Sequence, residues 1–243
     1  MNKPMIFAHR GASGYAPENT LEAFALAVQQ GADAIELDVH LSRDGAVVVA
    51  HDEAVDRVSN GHGLIGGMTL AELKRLSFSA GMLGFEKAQM PTLEEVYALI
   101  APTGLSVNVE LKTNLYAYPG IEAQCLEIAA KAGMERRILY SSFNHQSLMT
   151  IKSLDAAQPC GLLYGALFLP EQIVRYAKEL GMEALHPLFV SLIGSELMAE
   201  AQKAGVKVNA WTVNEEAHLR AVLAAGADGI ITNYPDRAKA LLA

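Results

Sequence analysis

The stretch Glu36-Leu37-Asp38-Val39-His40-Leu41-Ser42-Arg43-Asp44-Gly45-Ala46-Val47-Val48-Val49-Ala50-His51-Asp52 decides how the rest of this chain is read. Two runs of strand formers flank Ser42-Arg43-Asp44-Gly45, whose Asp-Gly pair signals a hairpin. A link this short cannot make a parallel crossover, which needs about a dozen residues. The expected register pairs Leu41 with Ala46, which sets Asp38 opposite Val49 and Glu36 opposite His51. Cross-strand partners project to one face, as do positions two apart on a strand. Two carboxylates and an imidazole therefore gather on one patch, while Ile35, Leu37, Val39 and Leu41 make the opposite face apolar. A solvated polar face would also accommodate the acids. An apolar side against helices with acids on the other side suits a barrel wall near its mouth better.

Working outward, the chain alternates. Met5-Ile6-Phe7-Ala8 reads as a first strand ending at His9-Arg10-Gly11. Leu21, Phe24, Ala25 and Val28 then form a helical stripe that stops at Gly31, with Asn19 as the expected N-cap and Glu22 three residues on. Residues 52–90 break the pattern with Ser59-Asn60-Gly61-His62-Gly63 and Gly66-Gly67, and only 70–76 reads as a helix. That is too long for an ordinary loop, so 52–90 is expected to be a small insertion over the barrel mouth. From Pro91, helices over 93–100, 121–132, 145–154, 171–180, 196–204, 215–225 and 235–242 alternate with strands over 105–111, 137–140, 160–164, 184–186, 206–211 and 229–232. Gly133, Gly181, Gly205 and Gly226 follow their helices as C′ residues do. Without the hairpin's return strand, eight strands alternate with eight helices. The expected fold class is α/β: residues 1–243 as a single (β/α)8 TIM-barrel domain with a small insertion after strand 2, and a doubly wound sheet as the alternative.

Composition narrows the classes of function. With 51% hydrophobic and 19% charged residues the chain is globular rather than disordered. No apolar run approaches the roughly 18 residues of a transmembrane segment. Met1-Asn2-Lys3-Pro4 leads straight into a strand without a signal-peptide pattern, and Cys125 and Cys160 lack metal-ligand spacing. Reduced thiols and a cytoplasmic location are therefore expected, although a disulfide stays open. A net charge of −8 argues against nucleic acid as a partner. Homo-oligomerisation is left open.

Barrels of this class build their sites at the C-terminal strand ends. Those ends offer His9-Arg10, Glu36 with Asp38, Glu110 with Lys112, Ser141-Ser142-Phe143, His186, Trp211 and Asn233. Three acids packed together repel one another, and one divalent cation relieves that repulsion. All-oxygen ligation favours Mg²⁺ or Ca²⁺. Arg10 and Lys112 would alternatively pair with the acids in a structural ion network. His9 and His51 have the near-neutral chemistry of a general acid and base, and as ligands they would favour zinc instead. The five remaining histidines, His40, His62, His145, His186 and His218, read as structural. Arg10 as a fork and Lys112 as a point charge suit a phosphate.

These residues carry a resemblance. His9-Arg10-Gly11, Ala16-Pro17-Glu18-Asn19-Thr20, Glu36-Leu37-Asp38-Val39, His51-Asp52, Ser59-Asn60-Gly61, Glu110-Leu111-Lys112, Trp211-Thr212-Val213-Asn214 and Asp228-Gly229-Ile230-Ile231-Thr232-Asn233-Tyr234-Pro235 resemble, in order, the glycerophosphodiester phosphodiesterase family, most of all its short bacterial cytosolic type. The resemblance implies a metal-dependent barrel that hydrolyses a small-molecule glycerophosphodiester to glycerol 3-phosphate and an alcohol. It implies His9 and His51 as acid and base, Glu36, Asp38 and Glu110 as ligands of a Mg²⁺ or Ca²⁺ ion, and Arg10 and Lys112 as phosphate contacts. Phe143 and Trp211 match positions that line the substrate groove, and the insertion matches least.

Two other readings compete. A histidine-ligated metallohydrolase for amides or lactones would need a His-x-His pair at the end of strand one, where Arg10 stands. A non-catalytic module for phosphorylated metabolites on a decayed barrel would be expected to have lost one of His9, His51, Glu36, Asp38 or Glu110, and all are present; a barrel with a different phosphodiester or lysophospholipid specificity stays an alternative.

Overall fold

Every residue of β2 (Ala34–Leu41) is buried, and the computed structural model, which describes residues 3–242, is assembled around that strand. β1 (Met5–His9) leads through α1 (Leu21–Gln29) to β2, which turns back into the short β3 (Val47–Val49). A long segment carrying α2 (Leu70–Leu73) precedes α3 (Leu93–Ile100) and β4 (Ser106–Leu111). Alternation continues through α4 (Ile121–Lys131), β5 (Ile138–Ser142), α5 (His145–Leu154), β6 (Cys160–Tyr164), α6 (Pro170–Glu179), β7 (Ala184–Pro187), α7 (Leu197–Ala204), β8 (Lys207–Ala210), α8 (Glu216–Ala225), β9 (Gly229–Thr232) and α9 (Pro235–Ala240).

Apart from β3, the strands pair in parallel around a ring, and β1 bonds both β9 and β2 to close it. Closure excludes the doubly wound sheet and makes this a (β/α)8 barrel with one added strand. Ile35, Leu37 and Val39 of β2 face outward into the core shared with the helices, so Glu36, Asp38 and His40 face inward. Thr92 opens α3 with a capping box through Glu95. Both cysteines are free and buried. Among the described residues, no helix is long and apolar enough to cross a membrane.

The hairpin differs from the expected register by one residue. Leu41 pairs with Val47, not Ala46, and Val39 with Val49. The cause is the turn: Ser42 N–H donates to Ala46 O at 2.9 Å and Gly45 N–H to Ser42 O at 3.0 Å. Gly45, at φ +85°, is the left-handed third residue of a three-residue loop, a bulge that costs a glycine little. Asp38 therefore stands beside Ala50, whose N–H donates to its carbonyl at 3.0 Å, and His51 is not opposite Glu36. His51 reaches the acids instead because β3 stops at Val49 and the chain bends there.

Two further expectations are corrected. Thr20, not Asn19, caps α1, accepting from Ala23 N–H, because Asn19 is drawn into the site below. α2 is shorter than 70–76, since its last turn tightens to bonds from Arg75 N–H to Glu72 O and Leu76 N–H to Leu73 O. The segment between β3 and α3 has its own apolar cluster, with Val55, Val58, Ile65, Leu73, Phe78 and Met90 packed against Val48 and Ala50.

Candidate active site

Strand register brings the acids together: His9 lies beside Glu36, and Asp38 beside Glu110. Oxygen atoms of Glu36, Asp38 and Glu110 all lie within 4.8 Å of one another, and all three residues are buried. Arg10, the first residue after β1, is held at φ +56°, a conformation that costs a non-glycine residue on the order of 1 kcal/mol. The hold is visible: Arg10 N–H donates to Glu36 Oε2 at 2.9 Å and its Nη1 to Glu18 Oε1 at 2.9 Å. Its Nε stands 3.5 Å from Asp38 Oδ2. Asn19, also left-handed at φ +57°, donates Nδ2 to Asp38 Oδ2 at 2.8 Å. Lys112 Nζ bonds Glu110 Oε1 at 3.0 Å and lies 3.8 Å from Asp38 Oδ1.

The electrostatics are uneven across the triad. Burial would raise Asp38, but Arg10 and Lys112 outweigh it and hold the carboxyl well below the usual range. Burial and then the Asp38 charge push Glu110 up to about 7. Burial, Asp38 and Glu110 together push Glu36 well above the ordinary carboxylate range. Two lysine and arginine groups do not neutralise this cluster, because Arg10 is shared with Glu18. Asp38 Oδ1 is buried and accepts no hydrogen bond among the described residues. A buried carboxylate oxygen left without a donor suits a hard cation.

The histidines differ in setting. His9 Nδ1 stands 2.6 Å from Asn233 Oδ1, so it carries the proton and Nε2 keeps a lone pair. Burial and the Arg10 charge bring His9 down to about 4. His51 Nδ1 donates to Asp52 Oδ1 at 2.6 Å. Burial would raise Asp52, yet its bonds from Arg57 and His51 bring it down to about 2, so it is a fixed anion behind His51. His9, Arg10, Glu36, Glu110 and His51 line one small cavity of about 70 Å³, walled by Phe143, Leu163 and Trp211. The Phe143 and Trp211 rings meet edge to face, 5.6 Å apart. A larger cavity of about 630 Å³ opens at the other end of the barrel, near Met5, Ser106 and Lys207, with no histidine in its wall.

All nine residues expected at the site lie in or against it: Asp38 meets the cavity through Arg10, and Lys112 through Glu110. The other histidines have structural partners. His40 stands between Tyr118 Oη and His51 O, and His186 accepts from Asn209 Nδ2. His145 bonds Leu163 O, His62 pairs with Asp56, and His218 stacks on Phe189. Sequence reasoning gave no role to Asn19 beyond a cap, nor to Asn233 as the His9 partner, and it missed Arg57 altogether. Arg57 sits in an aperiodic segment, where no spacing announces it.

A description of the glycerophosphoryl diester phosphodiesterase family matches residues 9–237. A glycerophosphodiester phosphodiesterase from Caldanaerobacter subterraneus is 41% identical over 239 residues, covering 96% of each chain. A crystal structure of a glycerophosphodiester phosphodiesterase from Agrobacterium tumefaciens is similar with a TM-score of 0.86 and 28% identity, over 98% of this chain and 100% of that one. A phosphodiesterase from Oleispira antarctica, solved in complex with the product sn-glycerol-3-phosphate, is similar with a TM-score of 0.86 and 31% identity, over 98% of this chain and 96% of that one.

Proposed function

The chain belongs to the glycerophosphoryl diester phosphodiesterase family and is an enzyme of that kind, and from this premise we propose that it hydrolyses glycerophosphodiesters to glycerol 3-phosphate and an alcohol with one divalent cation. The observation that carries the reading is the Glu36, Asp38 and Glu110 cluster, of which Glu36 and Glu110 share a cavity wall with His9 and His51. The three carboxylates would hold the cation, and their all-oxygen character favours Mg²⁺ or Ca²⁺. When bound, the cation supplies positive charge to a phosphate oxygen as charge develops there.

The chain's own groups divide the remaining work. Arg10 and Lys112 flank the acids and are placed to contact the phosphate. His9, neutral with its Nδ1 proton committed to Asn233, accepts at Nε2 the proton of the attacking hydroxyl, whether water or the substrate's own 2-hydroxyl. His51, backed by the Asp52 anion, gives its Nε2 proton to the leaving alkoxide as the phosphorus–oxygen bond breaks. A buried base with a lowered pKa and an imidazole stabilised by a carboxylate are the expected pairing of base and acid. Residues 52–90 border this site from outside the ring, through Asp52 and Arg57.

The test is phosphorus NMR of glycerophosphocholine, glycerophosphoethanolamine and glycerophosphoglycerol incubated with Mg²⁺ or Ca²⁺, and again after chelation. Glycerol 3-phosphate should form only with the cation. A cyclic phosphate appearing first identifies the 2-hydroxyl as nucleophile. Absence of glycerol 3-phosphate under every cation condition sinks the reading.

A further inference from the structure

The barrel mouth is divided into two chemically different arcs. On the side of β1 and β2 it is charged, with Arg10, Glu18, Asp52 and Arg57 interlocked. From β4 round to β8, the connecting loops 112–120, 143–144, 165–169, 188–196 and 211–215 carry only three charged residues, Lys112 at the site and Glu196 and Glu215 at the starts of their helices. Those loops instead present Leu167 at 76% exposure, Leu169 at 58%, Phe168 at 50%, Ile193 at 49% and Val190 at 46%. Scattered exposed apolar residues need no explanation, but a contiguous set beside a site marks a binding surface.

Its position relative to the chemistry follows from the ring order. Phe143 follows β5 and Trp211 follows β8, and the strands between them are β6 and β7. The ring contact of Phe143 and Trp211 therefore spans the mouth across the ends of β6 and β7. Beyond it, the loops after β6 and β7 enclose a cleft of about 280 Å³, lined by Tyr164, Leu167, Phe168, Ile173, Val190 and Ile193. Leu163 walls the site cavity from inside the ring and Tyr164, the next residue of β6, points the other way and walls the cleft, so the cleft lies outside the ring, beyond the end of β6. Phe189 N–H bonds Trp211 O at 2.8 Å, tying the second loop of the cleft to the aromatic pair.

We propose that this cleft is a chain-binding subsite, taking the alkyl or acyl chain of an amphiphilic glycerophosphodiester whose phosphate sits at the acid cluster. The proposal rests on the hydrolase reading above, because it needs the phosphate held there. With the phosphate fixed among Arg10, Lys112 and the acids, an apolar substituent leaving the site away from the charged arc passes the aromatic pair and meets the cleft. A charged macromolecular partner would find little counter-charge on these loops, where only Lys112, Glu196 and Glu215 are charged. The cleft is large enough to take several methylenes of a chain.

The experiment is a comparison of kcat/KM across two substrate series, kept below their aggregation thresholds. One series carries the chain on the leaving alcohol, from glycerophosphoethanol to glycerophosphododecanol. The other carries an acyl chain of increasing length on the glycerol, with choline as leaving group. In at least one series kcat/KM should rise about two- to fourfold per methylene and level off once the cleft is filled, and the series that rises identifies where the chain is attached. Leu167→Ser and Ile193→Ser should flatten the rise while glycerophosphoethanol turnover stays within about twofold. Ile193→Trp, which fills the cleft, should bring the plateau to shorter chains. Turnover that ignores chain length in both series overturns the subsite alone. A rise that appears only above the aggregation threshold, and persists in the variants, overturns it in favour of docking on a lipid aggregate. Failure to cleave even glycerophosphoethanol with any cation sinks the hydrolase reading beneath it.

Discussion

Arg57 closes on Glu18 with both terminal nitrogens, Nη1 to Oε2 at 2.8 Å and Nη2 to Oε1 at 2.7 Å. Its Nε donates at the same time to Asp52 Oδ2 at 2.6 Å. Glu18 accepts from Arg10 and Asp52 from His51, so one guanidinium from the irregular segment ties together both flanks of the site. A planar fork can serve two carboxylates at once, whereas an ammonium cannot reproduce that geometry. The side chain is about half exposed, so the pairs add little to global stability. Arg57→Lys should leave the melting temperature nearly unchanged and lower kcat about tenfold, the usual effect of losing a supporting contact. Steady-state kinetics beside calorimetry check this, and an unchanged kcat would make Arg57 a surface residue only.

Asn19 offers a cleaner test of the acid cluster. Its side chain bonds Asp38 while its backbone sits in the left-handed region, so two effects must be separated. Asn19→Gly removes the hydrogen bond and tolerates the backbone, whereas Asn19→Ala removes the bond and adds strain of about 1 kcal/mol. Both variants should weaken cation binding by about tenfold in a calorimetric titration. Only the alanine variant should lose the additional stability in denaturant. Equal cation affinity in all three proteins would show that Asn19 serves the fold alone.

Cation binding should depend on pH with a definite sign. Glu110 is pushed up to about 7, above the ordinary carboxylate value of about 4.3. Between those values the cation-free folded chain binds a proton that the unfolded chain does not. Its stability from this group is therefore present at low pH and lost as pH rises through 7. Glu36 is shifted in the same direction and reinforces the trend. A cation displaces those protons, so the rise in melting temperature on adding saturating Mg²⁺ or Ca²⁺ should be larger at about pH 8 than at about pH 5. Glu110→Gln should reduce that difference. A gain in melting temperature independent of pH would show that these carboxylates are not ligands.

Much of this was legible from the residues because the barrel repeats one alternation eight times, a short apolar strand with a polar end followed by a helix, and Gly133, Gly181, Gly205 and Gly226 mark where several of those helices stop. The strand ends then place His9, Glu36, Asp38 and Glu110 at one mouth through register alone. What the chain text hid lies in irregular backbone. Gly45 adds a bulge that moves the hairpin by one residue, and only a bend after Val49 restores His51 to the acids. Asn19 looks like a cap, but a left-handed backbone and a buried carboxylate decide its role. Arg57 acts through a side chain reaching across 39 positions to Glu18, a distance that no local pattern encodes.

The two histidines should separate when the leaving group is varied. One histidine must be neutral to accept a proton and the other protonated to donate one. The kcat/KM profile should therefore be bell-shaped, with constants that belong to the coupled pair. p-Nitrophenolate leaves without much protonation, unlike a glycerophosphodiester's alkoxide. His51→Ala should cost a glycerophosphodiester about 10²- to 10⁴-fold in kcat and a p-nitrophenyl phosphodiester far less, with cation affinity retained in a calorimetric titration. The alkaline limb should vanish for the activated substrate in that variant, because no acid is then required. His9→Ala should depress both substrates alike, since the attacking oxygen needs its base in either case. If His51→Ala depresses both equally and His9→Ala discriminates between them, the acid and base are reversed; if His51→Ala abolishes cation binding, His51 is a ligand and the carboxylate assignment fails.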